Sequence, residues 1–226
     1  MTTILITGAN RGIGLEFATQ YAADGAEVIA CCREPAKASE LKAVKGNVRV
    51  MALDVGDAAS VAALKKDLGD TALDIVINNA GVGGPRDEKP GMLDMDAWLN
   101  VFRINSVAPM LVAMALRDNL LKGRGKKLVT ITSVLGSIAE SGGGMQPYRA
   151  SKSAVNSMMF GLSKDWAKHD IAVGIFHPGW VQTDMGGSSA PVKPQDSVKG
   201  LRARIAELNM KTSGSYRDFE NRVIPW

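Results

Sequence analysis

The sequence predicts an α/β fold: one doubly wound parallel sheet of about seven strands with helices on both faces, in a single domain over residues 1–226. Three observations predict it. Short apolar runs recur with helical periodicity between them, and runs without polar alternation mark strands buried on both faces. The first run leads directly into a glycine-rich turn and a helix. The chain's 226 residues, 46% hydrophobic and 22% charged, suffice for one sizeable core.

Thr3–Thr7 is the first strand, Gly8–Gly14 the turn, and Leu15–Asp24 a helix stopped at Gly25. Glu27–Cys32 is the second strand, which closes a βαβ unit of about 30 residues. A helix over Ala36–Ala43, a strand over Val48–Leu53 and a helix over Ala58–Leu68 follow. Leu73–Ile77 is a strand that runs into Asn78-Asn79-Ala80-Gly81. After a polar loop over Gly83–Gly91, Met95–Leu120 reads as one long helix, bent at Pro109. Lys127–Thr132 is a strand, Tyr148–His169 a second long helix and Ile171–His177 a strand. A helix over Val198–Leu208 and a last strand over Ser215–Phe219 end the chain. The mobile loops are expected at Gly142–Gly144 and Gly186–Pro194.

Composition excludes several classes. Net charge is +4 with a pI of about 9.1, but the basic residues are scattered and aromatics make up only 5%. No basic stripe with interleaved rings argues for nucleic acid. The adjacent Cys31 and Cys32 give no disulfide framework, which fits a reducing compartment. With no leader and no run of about 18 apolar residues, a cytoplasmic protein without a membrane partner is expected. His169 and His177 lack partners at metal-ligand spacing, so no metal is expected.

The glycine turn is the first candidate site. Gly8, Gly12 and Gly14, with Asn10, Arg11 and Ile13 between them, let backbone N–H groups approach a pyrophosphate at a helix N-terminus. The spacing Gly-x-x-x-Gly-x-Gly differs from the commonest dinucleotide fingerprint, and an ordinary βα turn is the alternative. At the end of the second strand, where NAD-binding folds commonly place an acid, stands Arg33. A guanidinium grips a 2′-phosphate bidentately, so NADP(H) is favoured over NAD(H). Arg11 would add a second positive contact, and Glu34 is the counter-argument. Asp54, with Val55 beside it, follows the third strand and can accept from an adenine amino group, or simply cap a turn. Asn79, Ala80 and Gly81 would let a ribose lie against the backbone.

Tyr148 and Lys152 stand one helical turn apart on one face. A unit charge about 5 Å from a phenol, at an effective dielectric of ~20, is worth roughly 3 kcal/mol, or about two pKa units. That would bring a tyrosine of pKa ~10 toward the range of general acid–base catalysis. Ser133, at the end of a strand, can polarise a carbonyl or cap a turn; Asn105, a poor helix former, can hold a water or a kink.

Together these residues resemble the short-chain dehydrogenase/reductase family along essentially the whole chain. Thr7–Gly14 is similar to its cofactor motif, Asn78–Gly81 to its Asn-Asn-Ala-Gly element, and Pro178-Gly179-Trp180-Val181-Gln182-Thr183 to the Pro-Gly motif at the nicotinamide end. Asn105, Ser133, Tyr148 and Lys152 match the family's catalytic tetrad in order and approximate spacing. The Cys31–Glu34 turn, Tyr148–Lys152 and Pro225-Trp226 resemble the C-factor and sniffer-like carbonyl reductase branch.

The resemblance implies a Rossmann-like fold and hydride transfer between NADPH and a carbonyl or alcohol. In it Tyr148 is the proton donor and Lys152 lowers the Tyr148 pKa and binds ribose. Ser133 steadies the carbonyl oxygen and Asn105 holds a water. Pro178, Gly179, Val181 and Thr183 contact the cofactor. The two long helices resemble those of the family's dimer interface, which implies a homodimer.

Two features depart from the pattern. Ser133 and Tyr148 are further apart than is usual, with Gly142–Gly144 between them. The lid, Asp184–Pro194, is short, which predicts an open substrate pocket lined by Leu135, Met145, Gln146 and Trp180. The alternative reading is an NADP(H)-binding signalling or regulatory protein with little turnover.

Overall fold

A computed structural model describes residues 1–85 and 93–226. Seven strands form one sheet: β1 (Thr3–Thr7), β2 (Glu27–Cys32), β3 (Val48–Ala52), β4 (Ile75–Asn78), β5 (Lys127–Ile131), β6 (Ala172–His177) and β7 (Tyr216–Asp218). The spatial order is β3-β2-β1-β4-β5-β6-β7, and every neighbouring pair is parallel. The helices are α1 (Gly12–Ala23), α2 (Ser39–Lys42), α3 (Ala58–Leu68), α4 (Met95–Phe102), α5 (Ala108–Lys122), α6 (Gln146–Asp165) and α7 (Pro194–Glu207).

Successive side chains of a strand point to opposite faces, and the core divides accordingly. Ile4 and Ile6 of β1 pack with Phe17 of α1 and Leu201 and Ile205 of α7. Leu5, between them, packs in the other layer with Leu64 of α3, Leu116 of α5 and Met159 of α6. Strands covered on both sides need apolar residues at every position, which is why their sequences read as unbroken runs.

The chain leaves β1 for β2 and β3 on one side, then returns to place β4 on the other. This switch point opens a crevice beyond the C-terminal ends of β1 and β4. Asn79 stitches it: its Nδ2 donates to the carbonyls of Thr7 (3.0 Å) and Gly8 (3.1 Å). The Thr7 hydroxyl in turn accepts from the N–H groups of Asn79 (3.0 Å) and Ala80 (3.1 Å). Gly14 packs so tightly here that a Cβ would lie 2.1 Å from the Gly8 carbonyl oxygen.

Several boundaries differ from expectation. The Ala36–Ala43 helix is a 3₁₀ turn at Pro35–Lys37 followed by the single turn of α2; four residues close little hydrogen bonding of their own. Helices α1, α6 and α7 start earlier than predicted, the last two because a proline in the first turn suits a helix start. The last segment of the second long helix is a 3₁₀ turn at Ala167–His169. From residue 86 to residue 91 the Gly83–Gly91 loop lies outside the described residues.

The largest correction concerns Met95–Leu120. The break is not a bend at Pro109 but a widened π-helical segment, Arg103–Val107, between α4 and α5. The Ala108 N–H reaches five residues back, to the Arg103 carbonyl. Pro109 sits in the first turn of α5, where its missing N–H is tolerated. Met95–Lys122 as a whole has the length and apolarity of a membrane-crossing helix, but Val101, Val112, Leu116 and Leu120 are buried in this fold.

Candidate active site

The crevice is a cleft of about 1300 Å³ along the C-terminal ends of the strands. That exceeds the usual few hundred to ~1,000 Å³ of a small-ligand pocket and leaves room for a dinucleotide and a second molecule. All the predicted cofactor residues line it: Gly8, Asn10, Arg11, Gly12, Ile13 and Gly14 of the first turn, Arg33, Asp54 and Val55, Asn79, Ala80 and Gly81, and Pro178, Gly179, Val181 and Thr183. Ser133, Tyr148 and Lys152 line its floor. Asn105 and Gln146 do not reach it.

The glycine turn meets the requirements of an anion cradle. Gly8 (φ 65°) and Gly12 (φ 53°) adopt left-handed backbone, which only glycine does without strain. Helix α1 has no side-chain cap and no acid in its first turn, so its leading N–H groups and positive dipole end remain available to an anion. A Cβ on Gly12 would press on the Thr183 methyl at 3.2 Å, so the turn and the loop after β6 touch across the cleft.

Arg33 lines the cleft beyond β2. Glu34, the acid that weighed against a 2′-phosphate, pairs with Lys37 at 2.9 Å, whereas Glu40 also lines the cleft. Arg11 departs from expectation: it forms an exposed ion pair with Asp184 at 2.8 Å, closing over the Gly12–Thr183 contact rather than standing free for a second phosphate contact. Asp54 uses Oδ1 to accept the Gly56 N–H (2.9 Å), the turn-capping reading, and still borders the cleft. The donor set of α1 N–H groups, Arg33 and Lys152 fits a phosphorylated dinucleotide.

At the reacting end, Ser133 is the extended residue after β5, and its Oγ accepts the Leu135 N–H at 3.2 Å. Tyr148 lies close enough to the same hydroxyl for it to draw the phenol's pKa down. Tyr148 and Lys152 share the inner face of α6, with Lys152 Nζ 5.7 Å from the phenol centroid and donating to the Ile131 carbonyl at 3.1 Å. Burial dominates the titration of both. It pushes the Lys152 ammonium down to about 8 and the Tyr148 phenol up, with the nearby Ser133 hydroxyl partly opposing the latter. Loss of solvent thus outweighs, at Tyr148, the lowering expected from Lys152.

Asn105 is buried behind the floor, in the π segment. Its Oδ1 accepts the Val82 N–H (2.9 Å), and its Nδ2 donates to the Val82 carbonyl (2.9 Å) and Ser151 Oγ (3.1 Å). The expected water holder is, by its side chain, a brace between the loop after β4 and α6. The substrate end is lined by Leu135, Met145, Trp180 and Met185.

Sequence reasoning missed two neighbours. His177, considered in the sequence only as a metal ligand and set aside, lines the cleft at the end of β6; burial pushes its pKa down to about 4, and its Nδ1 has no partner among the described residues. Tyr216 of β7 donates to the Ser133 carbonyl. Nothing local marks either position, because only strand order brings β6 and β7 beside β5. Among the described residues no group of His, Cys, Asp and Glu could hold a metal ion.

A family model described as short chain dehydrogenase matches residues 2–193. The chain belongs to the short chain dehydrogenase family. Among relatives of this dehydrogenase, the C-signal protein of Myxococcus xanthus is 37% identical over 155 residues, covering 68% of this chain and 93% of that one. The 1-hydroxy-2-glutathionyl-2-methyl-3-butene dehydrogenase of Rhodococcus sp. is 31% identical over the full length of both. The carbonyl reductase Sniffer of D. melanogaster superposes with a TM-score of 0.91 at 30% identity, over all of both chains. The NADPH-bound carbonyl reductase from chicken fatty liver gives the same score and identity, over all of this chain and 99% of that one.

Proposed function

We propose that the protein is an NADP(H)-dependent carbonyl reductase, interconverting a carbonyl and an alcohol. The observation that carries this reading is Ser133 and Tyr148 set side by side with Lys152 in the cleft that Arg33 also lines. NADPH, when bound, supplies a hydride to the carbonyl carbon. Tyr148 gives its proton to the carbonyl oxygen, so hydride and proton together make the alcohol. A phenol pushed up by burial is protonated at neutral pH and ready to donate. Ser133 donates to the same oxygen as charge builds on it. Lys152, an ammonium below about pH 8, binds ribose hydroxyls and stabilises the phenolate left on Tyr148. Arg33 grips the 2′-phosphate.

NADP(H) preference draws further support from the NADPH-bound neighbour. Two copies of the chain would pair through Met95, Leu99, Val107 and Met114, large apolar side chains exposed along α4, the π segment and α5. Buried free thiols at Cys31 and Cys32 fit a cytoplasmic location.

The test is NADPH oxidation against a panel of activated aldehydes, ketones and quinones. Tyr148→Phe should lower turnover about 10²–10⁴-fold while NADPH affinity holds; undiminished turnover would remove Tyr148 as the donor. The likeness to C-signal favours a second reading, a nucleotide-binding signalling protein. Tight NADPH binding without turnover on any panel member would select it.

A further inference from the structure

The wall of the reacting site is fastened from outside the tetrad. Tyr216 on β7 is fully enclosed and sends its hydroxyl to the main-chain carbonyl of Ser133. That carbonyl also accepts the Gly136 N–H at 2.9 Å. Beside the phenol stands Asn156 of α6, which lowers its pKa in part, accepts the Thr132 hydroxyl at 2.6 Å and donates to the Gly136 carbonyl at 3.4 Å. Burial pushes the Tyr216 phenol far up, so it stays a donor at any working pH. Behind it lies Trp226, its ring centroid 5.3 Å from that of Tyr216 and 5.4 Å, edge-on, from that of Phe160 on α6. The Trp226 carbonyl accepts the Ala139 N–H at 3.0 Å.

One aromatic cluster thus grips the Ser133–Met145 wall twice, at Ser133 and at Ala139. Beyond Ala139, Glu140 and Ser141 bond only back into the wall itself among the described residues, through the Ser137 hydroxyl (3.1 Å) and the Ile138 carbonyl (3.2 Å). Gly142, Gly143 and Gly144 face open space, and Arg149 Nε ties only the Gly143 and Gly144 carbonyls to α6.

We infer that Tyr216 and Trp226 are positioning residues for the proton donor: they hold the main chain at Ser133 and Ala139 so that the Ser133 hydroxyl stays seated against Tyr148. This rests on the proposed reductase reading for its kinetic consequence but not for its geometry.

The experiment uses the full chain labelled with ¹³Cζ-tyrosine, whose three tyrosines give three resonances assignable by substitution. Tyr216→Phe keeps the ring and removes only the donor. The Tyr148 resonance should move in the direction that Ser133→Ala moves it, and the double variant should move it no further than Ser133→Ala alone. A stationary Tyr148 resonance in a folded Tyr216→Phe protein, or additive shifts in the double variant, would overturn the inference.

Trp226→Ala supplies a second arm should Tyr216→Phe not fold. Exchange of the Ala139 amide should accelerate and the Tyr148 resonance should shift; no change in either would equally overturn it. In turnover, Tyr216→Phe should lower kcat about three- to tenfold, the usual worth of one neutral hydrogen bond. NADPH affinity should hold, and any limb of the pH–kcat profile that disappears in Tyr148→Phe should move upward. Simple loss of folded protein would scale kcat without moving that limb. If wild-type protein turns over no substrate, the reductase reading fails while the resonances still decide the positioning.

Discussion

Tyr148 and Lys152 behave oppositely to a freely solvated pair. A 5.7 Å separation invites charge stabilisation of a phenolate, yet loss of solvent weighs more at both groups. Lys152 is cationic at pH 7 and loses its charge as pH rises through about 8. Affinity for NADPH should therefore weaken between pH 7 and pH 9, measured by calorimetry on the free protein. Lys152→Met should bind weakly at both pH values with no such slope. At the other end of the cleft, Arg33→Ala should erase the preference for NADPH over NADH. A charge-assisted pair is worth about 1.5–3 kcal/mol, or about ten- to a hundredfold in the ratio of dissociation constants. Equal affinities already in the wild type would defeat the 2′-phosphate argument.

At the scale of elements, the π segment Arg103–Val107 explains how α4 and α5 serve both packing and the site. The extra residue in its turn accompanies Asn105 aimed inward at Val82 and Ser151, while Pro109 begins α5 immediately after. Asn105→Ala would leave both polar backbone groups of Val82 without this partner. The cost should be about 2 kcal/mol or more in urea unfolding, with faster exchange of the Val82 amide. Asn105→Asp should be no rescue, because a carboxylate oxygen would face the Val82 carbonyl in place of a donor.

For the whole molecule, the parallel order places every functional strand end on one edge of the sheet. The glycine turn after β1, Arg33 after β2 and Ser133 after β5 converge there although scattered in sequence. The apolar stripe along α4 and α5 faces away from the cleft. Placing a charge there with Met114→Glu should convert a dimer to a monomer in sedimentation velocity. The unfolding temperature of the monomer should change little, since Met114 is 55% exposed. A wild-type protein that sediments as a monomer would refute the pairing.

The strands, the glycine turn and the Tyr148–Lys152 face were legible in the sequence because each is a local pattern: unbroken apolar runs, glycines needing left-handed backbone, two residues one helical turn apart. The bounds of α2, the π segment and the partners of Arg11 and Asn105 were not. Each depends on contacts between segments far apart in the chain, as Asp184 does with Arg11 and Val82 with Asn105. So does the Tyr216 hydroxyl on Ser133. Local patterns in the chain were enough to specify the layered sheet and the chemistry available to its crevice. Tertiary structure alone decided which of those groups are free for a ligand and which are engaged with one another, because desolvation and hydrogen bonding across the sheet outweigh local spacing.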